Sequence, residues 1–458
     1  MLIEKFKIVK LFNYTDFEYN FKNKDTIFIG ENGTGKTTIL SIFYHVLSMN
    51  IKELLKYEFR KIIIKYKGKK DITIAYDELE KYYENYNNFF DKSYLNSHIG
   101  KKIIEIISKN SEKFKFDDSN QDLDFNLNLA IKLIKNEKIK VPVGFIREIL
   151  RYFEYQKKFK NVDDYINITS IILEGYRILY FPTYRRIEED LEDINIYDID
   201  DDESYSTSIF KKRISRSQNN HIGELIQFGM KDVQITIDNL LDTIKKQSID
   251  SFNKMTGELL SQYVRDDLEH HQDIETLTDN EIRIALSRAG INDDLKNNIL
   301  NKFSKNKFKD NNYLSNFILN LVEKNKILEP IDKKIKDFEE NCNKYLYNKK
   351  FIYDPSAVTL EILNPEQNRK IEISHLSSGE KQIISTFSKI YLEENKNLIV
   401  LFDEPELSLS IEWQKDFIYD IARSDNCKFS ISVTHSPFIF EKLLKNTTSL
   451  NKYLSKKG

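Results

Sequence analysis

Apolar and polar positions alternate along residues 2–10 (Leu-Ile-Glu-Lys-Phe-Lys-Ile-Val-Lys) and again along 16–21, with turn-forming residues 13–16 between them. A period of two is what a strand with one buried face requires, so both stretches predict strands. A short apolar run, Ile27, Phe28 and Ile29, predicts a third, and residues 39–47 then take on helical character. Two further strand-like runs, 61–66 and 71–76, flank Lys67-Gly68-Lys69. A first lobe is thus expected over residues 1–77. From 78 to 170 the spacing turns helical, as in Leu127, Leu129, Ile131, Leu133, Ile134 and then Phe145, Ile146, Ile149, Leu150, Phe153. This predicts a helical insertion whose aromatics pack in its own core.

Residues 176–187 predict a buried strand that ends in a proline-bounded loop, so that 171–187 return the chain to the α/β core. Beyond it lies a dense acidic run, 188–203, and a basic counter-segment, Lys211, Lys212, Arg213 and Arg216. Helical spacing resumes with Ile237, Leu240, Leu241, Ile244, Phe252, Met255 and Leu259, and again with Leu314, Phe317 and Leu321. After Pro330 the set Ile331, Ile335, Phe338, Cys342, Tyr345 steps by four, three, four and three, which is coiled-coil spacing. It lasts about two heptads, enough for a short coiled-coil or helical-hairpin arm within 188–350. Strand character returns at 351–363, and residues 351–458 are expected to form a second α/β lobe.

Composition narrows the class without naming it. The chain has 458 residues, room for two or three domains. Mean hydropathy is −0.52, yet 30 Phe and 26 Tyr are too many for a disordered chain. A net charge of −2 argues against a uniformly basic nucleic-acid binder while leaving room for a local basic patch. Cys342 and Cys427 stand far apart with no metal-ligand spacing, as buried thiols in a reducing cytoplasm would. No stretch approaches the roughly 18 apolar residues that cross a bilayer, and residues 1–10 lack the apolar run of a signal peptide. A soluble, cytoplasmic protein without a membrane partner is expected.

Chemistry concentrates in four motifs. Gly30-x-x-x-x-Gly35-Lys36-Thr37 sits between an expected strand and an expected helix. That is the setting of a P-loop: its backbone N–H groups cradle phosphate oxygens, Lys36 places a charge at the β/γ-phosphates, and the Thr37 hydroxyl coordinates Mg²⁺. Gly30, Asn32, Gly33, Thr34, Gly35, Lys36, Thr37 and Thr38 make up this phosphate-binding set. Leu376-Ser377-Ser378-Gly379-Glu380-Lys381-Gln382 opens a helix with Ile383, Ile384, Phe387, Ile390 and Tyr391 on one face. Ser377, Ser378, Gly379 and Glu380 either cap that helix or offer its N-terminal N–H groups to an anion. Asn397-Leu-Ile-Val-Leu-Phe-Asp403-Glu404-Pro405-Glu406 is a strand buried on both faces, with Asp403 placed to hold Mg²⁺ and Glu404 to polarise an attacking water. Finally, Phe429-Ser-Ile-Ser-Val-Thr434-His435-Ser436-Pro437 puts His435 at a strand end, where a γ-phosphate sensor belongs. Arg185 and Arg186 could reach a phosphate, pass a signal between subunits, or pair with the acidic run that follows them.

In this order the four motifs resemble those of the ABC-type ATPases of the SMC, RecF and OLD group. The resemblance implies a P-loop NTPase head of ABC type, an α/β fold here split by helical insertions. It implies ATP and Mg²⁺ as cofactors, and Glu404, His435 and Lys36 as catalytic residues. It further implies a homodimer or higher homo-oligomer in which Ser378 and Gly379 act on ATP held by Lys36 of a second copy. Two departures stand out: Ser408 and Ser410 occupy positions where OLD-like relatives often carry histidines, and no glutamine follows the first lobe where the family usually has one.

The spacing from Thr37 to Leu376 is too long for transporter ATPases, and long coils or a Cys-x-x-Cys hook are missing. The sequence runs only to Gly458, so no Toprim nuclease domain is expected. Segments 180–187 and 227–233 look like those of ATPase subunits from bacterial anti-phage systems such as PARIS and Septu. That likeness implies a slow ATPase that senses infection and controls a separate nuclease effector. A RecF-like DNA-repair ATPase that clamps DNA is the alternative, and a structural scaffold using ATP as glue a third.

Overall fold

The computed structural model of the chain describes residues 2–89, 98–114, 120–137, 139, 141–183, 223–225, 230–265, 277–305, 312–393 and 397–456. Arg185, Arg186, the acidic run 188–203 and the basic residues Lys211, Lys212, Arg213 and Arg216 lie outside these, as do 227–229 of the segment 227–233.

The chain opens with β1 (Ile3–Leu11) and β2 (Thr15–Asn20), then β3 (Asp25–Ile29), α1 (Lys36–Leu47), a short α2 (Ile51–Leu54), β4 (Lys61–Tyr66) and β5 (Ile72–Ala75). Helices α3 (Tyr76–Phe89), α4 (His98–Lys109), α5 (Asn120–Asn136), α6 (Val143–Lys158) and α7 (Lys160–Ile172) follow, and then β6 (Arg177–Phe181) and β7 (Gly223–Leu225). Next come α8 (Met230–Arg265), α9 (Asp279–Arg288), α10 (Asp293–Ser304), α11 (Asn312–Lys326) and α12 (Glu329–Asn343). The last part holds β8 (Lys350–Asp354), β9 (Thr359–Asn364), β10 (Arg369–Ile371), α13 (Ser378–Phe387) with a π-helical continuation Ser388–Leu392, β11 (Leu398–Asp403), α14 (Ile411–Arg423), β12 (Cys427–Thr434), β13 (Thr447–Ser449) and β14 (Leu454–Lys456).

Six of the strands form a parallel sheet in the order β13-β3-β12-β11-β6-β7. Its middle strand explains why the sequence there is an unbroken apolar run. Leu398, Val400 and Phe402 of β11 face one core, with α13 and α14, while Ile399 and Leu401 face the other, with α1. β6 divides the same way, Ile178 and Tyr180 on one side and Leu179 and Phe181 on the other. Strands covered on both faces have no polar side to show. Outside α1, an antiparallel sheet β14-β2-β1-β4-β5 supplies Ile3, Phe6, Ile8, Ile62 and Ile64 to the first core, and its alternating pattern reflects one solvated face. A third sheet, β10-β9-β8, covers part of the second core.

Helices between the strands partition unequally. α4, α5 and α6 bury a small core of their own around Ile107, Ala130 and Ile149. α7, in contrast, belongs to the first core: Tyr165 is fully buried and its hydroxyl donates to the Val46 carbonyl at 2.6 Å. α8 runs for 36 residues, its first half (Val233, Ile237, Leu241, Ile244) in the second core and its far half (Met255, Leu259) in a satellite cluster with α9, α10 and α11. That cluster is a small helical core of its own, separate from the stripe at which the hairpin was expected. The coiled-coil spacing of Ile331 to Tyr345 has a different use: Ile335, Phe338, Cys342 and Tyr345 dock α12 on β8 and the π-helical turn. The stripe is satisfied by a mixed surface, β8 with the π-helical turn and, through Tyr345 against Phe387 and Phe417, the helices α13 and α14, and not by a coiled-coil partner.

Candidate nucleotide-binding site

The parallel registers set the strand ends side by side, with Ile29 level with Thr434, Asp403 with Val433, and Phe402 with Phe181. Ligands of open α/β sheets bind at the carboxyl ends of such strands. Four chain segments distant in sequence therefore meet at one edge.

After β3 the loop turns through Gly33 (φ 78°) and Gly35 (φ 83°), left-handed conformations that favour glycine. At Gly30 a Cβ would stand 2.9 Å from Thr34 Oγ1, so that position is tight as well. Gly35 precedes α1 and no side chain caps the helix, which leaves its first-turn N–H groups directed at the loop. Asn32 and Gly33 lie exposed on the crest of the loop, and Thr34, Gly35, Thr37 and Thr38 are half-buried. Thr34 Oγ1 donates to the Glu31 carbonyl at 2.9 Å.

Lys36 is 4% exposed. Its ammonium donates to the carbonyls of Gly30 (2.9 Å) and Glu31 (3.0 Å) and stands 2.7 Å from His435 Nε2. Burial pulls its pKa below the ordinary lysine value, opposed by the carboxylates of Glu404, Asp403 and Glu406. Thr37 Oγ1 donates to Asp403 Oδ1 at 2.9 Å, and Thr183, just past β6, donates to Asp403 Oδ2 at 3.4 Å. Among the described residues no group of three or more His, Cys, Asp or Glu could hold a metal ion. Thr37 and Asp403 are hard oxygen donors that fit Mg²⁺ completing its shell with phosphate and water oxygens.

Glu404 adopts φ 50°, a left-handed backbone unusual for a non-glycine residue and of the kind that clusters at active sites. Its N–H donates to Val433 O at 2.9 Å, and its Oε1 lies 3.0 Å from His435 Nε2. One imidazole nitrogen is thus claimed twice. It can accept from Lys36 or, carrying a proton, donate to Glu404, but not both. A phosphate that draws Lys36 away leaves Nε2 to Glu404.

The structure brings Lys36, Thr37, Asp403, Glu404 and His435 together. Ser377, Ser378, Gly379 and Glu380 form a separate place, the start of α13. Ser377 is its N-cap, and Glu380 closes a capping box by accepting from the Ser377 N–H (2.8 Å) and hydroxyl (2.9 Å). Lys349 also pairs with Glu380, at 2.8 and 2.9 Å. Burial pushes the Glu380 carboxyl up, but Lys349 and Ser377 outweigh it and hold the pKa below the usual range. Glu380 is therefore occupied within its own chain, whereas Ser377 and Ser378 are exposed. Gly379 is buried against the next loop: a Cβ there would stand 2.3 Å from the Ser408 carbonyl oxygen. Ser410 caps α14.

Two residues of the site escape motif reading, and a third, Glu406, stands inside the Asp403–Glu406 motif with no role read for it. Thr183 beside Asp403 and Lys349 on Glu380 act across sheet or loop, and Glu406 reaches the main chain of His435 from the next strand's loop. For Thr183 the one signal is its place two residues beyond a strand that pairs in parallel with the Asp403 strand.

Sheet order, loop and paired carboxylates define a P-loop NTPase head of ABC type. The chain belongs to the AAA ATPase domain family AAA_15, which matches residues 1–440. Among solved structures it is similar to the Smc head domain of Pyrococcus furiosus with an extended coiled coil bound to the C-terminal domain of ScpA, at 12% identity and a TM-score of 0.35, covering all of this chain and 96% of that one. It is also similar to the Smc head domain of Pyrococcus yayanosii with a coiled coil and joint, at 14% identity and a TM-score of 0.30, covering all of this chain and 97% of that one. Comparison with curated proteins gave no match. Among the described residues, no helix is long and apolar enough to cross a membrane.

Proposed function

We propose that this chain binds and slowly hydrolyses ATP with Mg²⁺, clamps it between two copies of itself, and serves as the sensor and scaffold subunit of an anti-phage system with a separate nuclease effector. The observation that carries the ATPase reading is the meeting of Lys36, the Thr37–Asp403 pair and the Glu404–His435 pair at one sheet edge. The bound nucleotide supplies a phosphoanhydride whose terminal bond to the bridging oxygen breaks as a water oxygen bonds to phosphorus. Lys36 and the P-loop N–H groups hold the phosphates, Thr37 and Asp403 hold the cation, and Glu404 takes the proton of the attacking water. His435 Nε2 stands within reach of both Lys36 and Glu404 and bonds one at a time, and so reads whether Lys36 is engaged. Exposed Ser377 and Ser378, at a helix N-terminus away from this cluster, support a role toward a second copy's nucleotide. The defence role rests on the resemblance of segments 180–187 and 227–233.

The test combines ATP turnover with mass in solution for the wild type, Lys36→Ala and Glu404→Gln, with and without Mg-ATP and DNA. Lys36→Ala is expected to lose nucleotide binding, and Glu404→Gln to keep it, lose about 10²–10⁴ in rate and accumulate as an ATP-held dimer. Absence of an ATP-dependent mass change in Glu404→Gln refutes the clamp, and turnover that rises only with DNA favours the DNA-clamping alternative.

A further inference from the structure

The loop between Asp403 and α14 is held by bonds that the reading above leaves unused. Glu406 Oε1 accepts from the backbone N–H of His435 at 2.8 Å and of Ser436 at 3.0 Å. Its Oε2 is buried with no hydrogen-bond partner among the described residues. Ser436 Oγ donates to Gln414 Oε1 at 2.5 Å, and Gln414 Nε2 returns to the carbonyls of Leu409 (2.9 Å) and Glu406 (3.4 Å). On the opposite side, Gln382 of α13 donates to the Pro405 carbonyl at 3.2 Å.

An oxygen that accepts from two consecutive backbone N–H groups pins that stretch of main chain at two adjacent points. Both bonds are spent on the main chain from which the His435 side chain departs. β12 ends at Thr434, so past that point the turn has Glu406, the Ser436–Gln414 bond and the Thr434 hydroxyl to fix it. His435 Nε2 must stay within bonding reach of two partners, Lys36 and Glu404, and a backbone shift of an ångström would break both contacts. We infer that Glu406 is a positioning residue: through the amides of residues 435 and 436 it sets the His435 imidazole between Lys36 and Glu404, and it acts as an acceptor of hydrogen bonds, not as a charge. This rests on the ATPase reading proposed above. The competing account is electrostatic, since Glu406 is also one of the carboxylates that favour the Lys36 ammonium.

The two accounts separate in the full chain by comparing wild type, Glu406→Ala and Glu406→Gln for Mg-ATP hydrolysis and for hydrogen exchange at the amides of His435 and Ser436. The amide oxygen of glutamine accepts the same two N–H groups without the charge. Glu406→Ala is expected to lose about 10²-fold in kcat with KM for ATP little changed, the scale of an ångström misplacement, and to exchange both amides faster. Glu406→Gln should restore kcat and protection. An unchanged kcat in Glu406→Ala, a loss expressed in KM alone, or a Glu406→Gln as slow as Glu406→Ala overturns the inference. If the wild type hydrolyses no ATP, the ATPase reading fails by itself, and the clamp is then decided by exchange: equal protection in wild type and Glu406→Ala overturns it.

Discussion

Gly379→Ala is the substitution whose outcome the structure constrains most closely. A Cβ at 379 would stand 2.3 Å from the Ser408 carbonyl oxygen and 3.1 Å from Trp413 Cζ3, the former about 0.7 Å inside the 3.0 Å that Cβ atoms keep from other atoms. The obstacle is main chain, so no rotamer change relieves it. α13 cannot retreat, because Glu380, Ile383 and Ile384 behind it are buried. Ser408 has little freedom either, holding a left-handed φ of 67°. The overlap must be taken up by loop 405–410, at the roughly 1–3 kcal/mol typical of overpacking. Urea unfolding followed by circular dichroism should show a lower midpoint at unchanged slope. Ser378→Ala, one residue earlier and exposed, should stay within about 0.5 kcal/mol of wild type. A Gly379→Ala protein as stable as Ser378→Ala would refute the packing reason for the glycine and leave only a role toward nucleotide.

Two further outcomes follow from buried groups. Burial pushes the Asp163 carboxyl up to about 6, against a hydrogen bond from Tyr82 that lowers it, and Asp163 Oδ2 has no hydrogen-bond partner among the described residues. A folded-state pKa above the ordinary 3.8 means the folded chain holds a proton that the unfolded chain releases, so this group's contribution is present below about pH 4 and lost as pH rises through 6. Asp163→Asn should therefore gain about 1–2 kcal/mol at pH 7.5, discounted for partial exposure, and flatten the stability profile between pH 4 and 6; no gain at pH 7.5 contradicts the assignment. Burial likewise raises both thiols, Cys427 to about 12, and both are enclosed. Iodoacetamide at pH 8 should label neither in the native chain and both after denaturation, as read by mass spectrometry; prompt native labelling would show that the cores open.

Strand alternation in residues 2–10, 16–21 and 61–66 was legible because each of these strands has one solvated face, and the β11 run because it has none. The P-loop, Asp403, Glu404 and His435 were legible because their chemistry is carried by local spacing. The use of the Ile335–Phe338–Cys342 stripe was not, since at two heptads a helical period does not distinguish a coiled-coil partner from a mixed face of strand and helix. Nor were the partners of Glu406, Thr183 and Lys349, which lie 29, 220 and 31 residues away along the chain. Ser377 and Glu380, three apart, did carry the sign of a capping box, and the structure spends Glu380 on that cap and on Lys349.

The long helix α8 has a mechanical meaning. At about 1.5 Å per residue its 36 residues make a rod of about 54 Å. One end is embedded beside the ATPase sheet and the other in the satellite bundle, so a tilt of about 5° at the base carries the far end about 5 Å. The lever arm alone sets that ratio, since the same rotation leaves the root of the helix nearly in place.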